Sequence, residues 1–137
     1  MSILNKHQIK IPLVAKQFLK FGLVGLVNTL VTLFVIWVLI HWFHSNDYVA
    51  NILGYLAGLL NSFILNKIWT FQTSGNVKSS LIKFLIIFVI SYFIQLGVLY
   101  LLLHFTKLHT YLTQVVSMIS YTLVNFVLNK EYTFNNQ

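Results

Sequence analysis

The stretch FGLVGLVNTLVTLFVIWVLIHW, residues 21–42, decides the fold, because it carries no formal charge over a length that can cross a bilayer. A transmembrane helix needs roughly 20 predominantly apolar residues to cross about 30 Å of hydrocarbon. Three further stretches meet this requirement, so the sequence predicts four spans, at about residues 19–42, 48–68, 81–104 and 111–129. We therefore expect an all-α integral membrane protein with four transmembrane helices.

The composition supports the same fold class. Of the 137 residues, 58% are apolar and 8% are charged, whereas a soluble domain usually carries about 25% charged residues. The net charge of +7 comes from lysines at the ends of apolar runs, which favours contact with anionic membrane surfaces over nucleic-acid binding. The absence of cysteine excludes disulfides and thiolate chemistry. The outer surface of the protein must face lipid.

The distribution of lysines predicts the orientation. Cytoplasmic loops of membrane proteins carry an excess of Lys and Arg. Only Lys107 lies in a loop that joins spans one and two or spans three and four. The other lysines lie before span one or at its start, at the facing ends of spans two and three or in the loop between them, or after span four: Lys6, Lys10, Lys16, Lys20, Lys67, Lys78, Lys83 and Lys130. We predict a basic cytoplasmic lead-in at residues 1–18, a membrane domain at 19–134, both termini inside, and location in the cytoplasmic membrane.

The two halves of the chain resemble each other. Residues 18–71 align on residues 81–134 at a constant offset of 63, with 14 of 54 positions identical. A unit of two spans returns to its starting side, so this pattern predicts a parallel duplicated two-helix repeat. In transporters, sites tend to form at the interface between such repeats.

Polar and small residues recur at helical spacing inside the spans. Span two carries Asn51, Gly54, Gly58, Ser62 and Asn66, and span four carries Gln114, Ser117, Tyr121, Asn125 and Asn129. This spacing places each set on one helix face, which we expect to turn inward. Close helix packing explains Gly54 and Gly58, and we assign Gly22 and Gly25 the same role. The asparagines are explained either by interhelical hydrogen bonding or by ligand binding.

Lysines and aromatic residues mark the ends of spans two and four. Lys67 and Lys130 occupy equivalent positions, where lysine either sets the topology or binds a phosphate as a point charge. Four aromatic residues near the predicted inner surface are assigned as interface anchors: Trp69, Phe71, Tyr132 and Phe134. The chain has two carboxylates and no Gly-rich phosphate loop of the Walker type. We therefore expect no metal, no cofactor and no enzymatic activity.

Three motifs resemble the GtrA-like family of small four-span membrane proteins. They are FLKFGLVGLVNT at residues 18–29, NSFILNKIWTF at 61–71 and NFVLNKEYTF at 125–134. The resemblance implies a role in cell-surface polysaccharide synthesis, in which members are thought to move polyprenyl-phosphate-linked sugars, such as undecaprenyl-phosphate glucose, to the outer leaflet. It further implies a membrane glycosyltransferase as partner, which decorates O-antigen, teichoic acid or similar glycans.

These features together predict a flippase for a polyprenyl-phosphate-linked sugar. The predicted phosphate and sugar contacts are Lys67, Lys130, Asn66, Asn129, Asn28, Asn125, Thr29, Ser62 and Gln95. Four helices enclose little space, so we expect a homo-oligomer. Two alternatives remain open: a non-transporting accessory subunit of a membrane glycosyltransferase, and a small-solute exporter.

Overall fold

The computed structural model describes residues 12–135, and this part of the chain is helical without any strand. Helix α1 spans Leu13–His41, α2 Asp47–Leu65, α3 Val77–Phe105 and α4 Thr110–Leu128. A π-helical turn follows α2 at Asn66–Thr70, and a second follows α4 at Asn129–Thr133. All four helices, with the π-helical turns counted, are long and apolar enough to span a membrane. The all-α, four-span fold class is confirmed.

The helices follow the predicted spans closely, with one systematic difference at their beginnings. Helix α1 begins six residues before the predicted span and α3 four residues before it. Helix α3 begins where the Asn76 side chain accepts a hydrogen bond from the backbone N–H of Ser79, and α2 begins at a similar cap formed by Asn46. The predicted lead-in at 1–18 falls largely outside the described residues, and its end already belongs to α1.

The chain forms two helical hairpins, α1–α2 and α3–α4, with the same element lengths. Each consists of a helix of 29 residues, a helix of 19 residues and a π-helical turn of 5 residues. Equivalent elements begin 63 or 64 residues apart. These lengths support the duplicated repeat, which stays a prediction from the sequence together with the orientation.

Glycines bring α1 and α2 close together. A Cβ atom added to Gly54 would lie 2.5 Å from Cγ1 of Ile36, and one added to Gly58 would overlap the hydroxyl of Thr32. The packing role of these two glycines follows from this geometry. The same prediction for Gly22 and Gly25 is wrong within the chain, because a Cβ at either position would meet no atom within 4 Å.

We expect Gly54→Ala to destabilise the α1–α2 hairpin by about 1–3 kcal/mol, the usual cost of overpacking. The added methyl group would also lie 3.0 Å from the backbone oxygen of Thr32, which cannot rotate away. Unfolding of the purified protein by SDS in mixed micelles measures the loss. Gly97→Ala is the matched control, because a Cβ there meets nothing within 4 Å. Equal stability of the two variants would contradict close packing at Gly54.

A cluster of phenylalanines joins the two hairpins at the end where the π-helical turns lie. Phe71 and Phe134 stack at its centre, with ring centroids 5.0 Å apart. Six further contacts occur in pairs related by the offset of 63 residues. The distance between ring centroids is 5.5 Å for both Phe21–Phe126 and Phe84–Phe63. It is 5.8 Å for Phe71–Phe126 and 6.0 Å for Phe134–Phe63. It is 6.3 Å for Phe21–Phe71 and 6.2 Å for Phe84–Phe134.

The phenylalanine cluster corrects two of the predicted interface anchors. Phe71 and Phe134 are buried in the core, whereas Trp69 and Tyr132 are exposed. The paired distances agree to within 0.2 Å, so the phenylalanine contacts made by the two hairpins are nearly equivalent. The core contact between the hairpins is therefore aromatic and lies at one end of the helix bundle.

Candidate functional site

The two π-helical turns form the centre of the candidate site. In each, a backbone N–H bonds five residues back: from Phe71 to the carbonyl of Asn66, and from Phe134 to that of Asn129, both at 2.9 Å. π-Helical turns are rare and occur frequently at functional sites. Here they fall on the motif Asn-Lys-x-x-Thr-Phe in both hairpins, so the repeated sequence coincides with a repeated departure from α-helical geometry.

Asn66 and Asn129 open the two π-helical turns and are almost completely buried. The amide nitrogen of Asn66 donates to Ser62 Oγ at 3.3 Å, and that of Asn129 donates to Asn125 Oδ1 at 2.9 Å. Their Oδ1 atoms have no hydrogen-bond partner among the described residues.

The threonines that close the π-helical turns share this property. The hydroxyls of Thr70 and Thr133 are buried and have no partner in the described part of the chain. A buried polar atom without a partner costs about 1–3 kcal/mol, and native proteins contain few of them. Each hairpin thus buries an amide oxygen and a hydroxyl that have no partner in the described part of the chain. The sequence analysis predicted Asn66 and Asn129 as site residues but not Thr70 and Thr133. The presence of threonine at both equivalent positions of the repeat could have indicated them.

The two equivalent lysines differ in their surroundings. The Lys67 side chain is buried, at 8% exposure, and its ammonium donates a hydrogen bond to the carbonyl of Gly75 in the loop between the hairpins. The Lys130 side chain is 31% exposed, and its ammonium lies 3.1 Å from Oε1 of Glu131. In this conformation the ammonium of Lys67 is hydrogen-bonded to a loop carbonyl, whereas the ammonium of Lys130 is accessible from the surface.

The remaining predicted contacts are divided between interior and surface. Asn125 is buried and Ser62 half-buried, each bonded to the asparagine of its π-helical turn. Asn28 accepts a 2.7 Å hydrogen bond from Asn61, between α1 and α2. Gln95 is half-buried, whereas Thr29 is exposed and bonds to its own helix at the carbonyl of Gly25.

The inward polar faces of α2 and α4 form as the spacing predicts over most of their length. Gly54 and Gly58 are buried on α2, and Ser117 and Asn125 are buried on α4. The prediction is wrong at the other ends of these helices, where Asn51 and Gln114 are exposed. The buried row on α4 continues through Thr113 instead. Polar residues outnumber apolar ones among the buried side chains of the described residues, whereas the exposed surface of the helices is rich in large apolar side chains.

The arrangement is that of a membrane protein with polar side chains in its interior and apolar side chains on its exposed surface. A comparison with protein families matches residues 20–134 to the model described as "GtrA/DPMS, transmembrane domain". A comparison with curated proteins finds no match. Since the family model covers both hairpins and both π-helical turns, this multi-pass membrane protein belongs to the GtrA/DPMS transmembrane domain family, whose setting is polysaccharide synthesis.

Proposed function

We propose that this protein moves a polyprenyl-phosphate-linked sugar between the leaflets of the cytoplasmic membrane, where a membrane glycosyltransferase uses it for cell-surface glycosylation. The observation that carries the proposal is the pair of buried asparagines, Asn66 and Asn129, whose amide oxygens have no partner among the described residues. Each is followed directly by a lysine. Amides beside ammonium groups suit a sugar attached to a phosphate. The chain acts as a transporter in this proposal and catalyses no chemical step.

The buried polar row on α4 supplies the property that such a transporter needs. Moving a phosphosugar through hydrocarbon without hydrogen bonds is prohibitively costly. Thr113, Ser117, Asn125 and Asn129 are all buried on α4 and the turn that follows it. Asn129 follows Thr113 by 16 positions, which is about 24 Å along the helix and most of the roughly 30 Å hydrocarbon thickness.

The residues divide between the two parts of the substrate. An ammonium binds phosphate through charge-assisted hydrogen bonds, and Lys130 is the lysine of the pair that the surface can reach. Asn66, Asn125 and Asn129 offer amide groups to sugar hydroxyls, with Asn28, Ser62, Gln95 and Thr29 as weaker contacts. The isoprenoid tail stays in the lipid throughout.

Liposomes containing the purified protein and a labelled polyprenyl-phosphate sugar test the proposal. A membrane-impermeant oxidant added outside measures the fraction of sugar that has reached the outer leaflet. We expect protein-dependent transfer, and a decrease of about tenfold in Asn129→Leu, since losing one buried hydrogen bond of about 1–2 kcal/mol changes a rate by that order. Asn51→Leu is the matched control, because Asn51 is exposed.

Other outcomes of this assay would contradict the proposal. Binding of the lipid-linked sugar without transfer would identify an accessory subunit of a glycosyltransferase. Leakage of small solutes without transfer would identify an exporter. Equal transfer by Asn129→Leu and Asn51→Leu would remove Asn129 from the site, provided that both variants insert into the membrane as the unmodified protein does.

A further inference from the structure

An apolar groove lies between α1 and α4, with a volume of about 300 Å³. Its lining consists of Phe18 on α1 and of Val115, Met118, Ile119, Thr122 and Leu123 on α4. Most of the α4 side chains are exposed on the lipid-facing surface. The groove therefore opens sideways to the bilayer, and a chain dissolved in the lipid could enter it without crossing a polar surface.

The repeat provides a comparison for the α4 wall of this groove. On α2, larger side chains stand at three of the equivalent positions: Ile52 in place of Val115, Tyr55 in place of Met118 and Leu59 in place of Thr122. Leu59 packs against the phenylalanine cluster, whereas Thr122 lines the groove. The side chains at equivalent positions of α2 and α4 thus differ in size, although the phenylalanine contacts at the ends of the two hairpins are nearly symmetric.

The α1 wall of the groove likewise carries smaller side chains than the equivalent face of α3. Gly22 lies one helical turn after Phe18, on the same face of α1, and a Cβ atom there would meet nothing within 4 Å. Gly25 is equally open and follows on this face. The equivalent residues on α3 are Leu85 and Phe88. The two glycines thus leave this face of α1 open after Phe18, where the same face of α3 carries two large side chains.

Positive charge lies beyond the end of the groove that faces the phenylalanine cluster. Phe126 closes this end through an edge-to-face contact of 5.2 Å with Phe18. Lys130 follows Phe126 by one turn and lies about 10 Å along the helix from Leu123. Lys16, two residues before Phe18, is exposed. A ligand with an apolar chain and an anionic head would satisfy both features.

We infer that the groove between α1 and α4 holds the isoprenoid chain of a polyprenyl phosphate, with its phosphate at Lys130, and that the opposite junction does not. This inference rests on the proposed function and adds where the substrate enters. One groove receives one chain, which favours a polyprenyl phosphate over a phospholipid with two chains.

Photochemical labelling tests the inference. The full chain in phosphatidylcholine liposomes is irradiated with a polyprenyl phosphate that carries a photoreactive group on its third isoprene unit, and the labelled peptides are mapped by mass spectrometry. We expect labels in residues 115–123 and at least fivefold fewer in the equivalent residues 52–60. Gly22→Leu should reduce labelling of 115–123 at least fivefold, because a helical side chain covers the preceding turn and would fill the space beside Phe18.

Gly97→Leu is the matched control, since Gly97 also has open space around its Cβ position but lies on α3. It should label as the unmodified protein does. Equal labelling of both segments would overturn the assignment to one junction. Equal competition by unlabelled phosphatidylglycerol and unlabelled polyprenyl phosphate would show a general lipid groove and overturn the stated ligand. Absence of labels in residues 115–123 would also overturn the stated ligand, because it would show that another surface, such as a second copy of the chain, covers α4.

The labelling result is independent of leaflet transfer. Labels in 115–123 without transfer of the lipid-linked sugar would support the groove and refute the proposed translocation. Normal transfer by Gly22→Leu with labelling lost would refute the groove as the route of the substrate and leave the proposed function intact.

Discussion

Lys130→Ala is expected to lower leaflet transfer of a polyprenyl-phosphate sugar by about 10- to 100-fold. A hydrogen bond to a charged group contributes about 1.5–3 kcal/mol, and each 1.4 kcal/mol corresponds to a factor of ten. Lys130 is the accessible member of the lysine pair, since a loop carbonyl already accepts the hydrogen bond of Lys67. Transfer rates at matched protein density in liposomes measure the effect.

Three further variants make this result specific. Lys130→Arg keeps the charge and should retain most of the transfer, and Lys107→Ala, in the loop between α3 and α4, should retain all of it. Lys67→Ala should lose clearly less transfer than Lys130→Ala. If the two alanine variants lose equally, the loop releases Lys67 during transport, and both lysines bind phosphate as the sequence predicts.

Phe134→Ala should reduce the stability of the protein by about 3–5 kcal/mol, the usual cost of removing a buried aromatic ring. Phe134 is 3% exposed and contacts Phe71, Phe63 and Phe84 within the phenylalanine cluster. Its removal leaves a cavity at the point where both hairpins meet. The free energy of unfolding by SDS in mixed micelles measures the loss.

Phe34→Ala provides the control for this prediction, because Phe34 lies on α1 with 64% of its surface exposed. Its truncation should change stability by less than about 0.5 kcal/mol. Phe71→Ala should match Phe134→Ala, since each ring stacks on the other. A small effect of both core variants, comparable to that of Phe34→Ala, would show that the hairpins do not depend on the phenylalanine cluster for their association.

Hydrophobicity alone was enough to predict the four helices. Membrane spans must be apolar over a length fixed by the bilayer, so their number and approximate position can be read from a single sequence. Their beginnings were less predictable, because a helix that has crossed the hydrocarbon can continue into the polar region. Lys16 and Lys78 lie in such extensions, outside the predicted spans yet within α1 and α3.

The assignment of Phe71 and Phe134 as interface anchors rested on their position near the predicted inner surface, which does not show the face of the helix on which each ring lies. α-Helical spacing relates each residue to the fourth one after it, and this spacing places Thr70 above Asn66. In the π-helical turn the bond instead connects Phe71 to Asn66, which moves the phenylalanine onto the buried face. A pattern analysis that assumes one helical period cannot detect this shift.

The candidate site was predictable where it depends on helical spacing and unpredictable where it depends on loops. The burial of Asn66, Asn125 and Asn129 follows from their positions on one face. The different environments of Lys67 and Lys130 do not follow from helical spacing. Lys67 donates to the backbone carbonyl of Gly75, and because every residue has such a carbonyl, the sequence does not indicate which one the lysine binds.

The hydrogen bond between Asn28 and Asn61 makes the two hairpins mechanically unequal. At 2.7 Å it ties α1 to α2, and such bonds between membrane helices contribute about 0.6–2 kcal/mol. The second hairpin has Ser91 and Val124 at these positions, and the buried hydroxyl of Ser91 has no partner in the described residues. We therefore expect the α1–α2 hairpin to be more rigid than the α3–α4 hairpin. Opening motions that admit a substrate should be concentrated in α3 and α4.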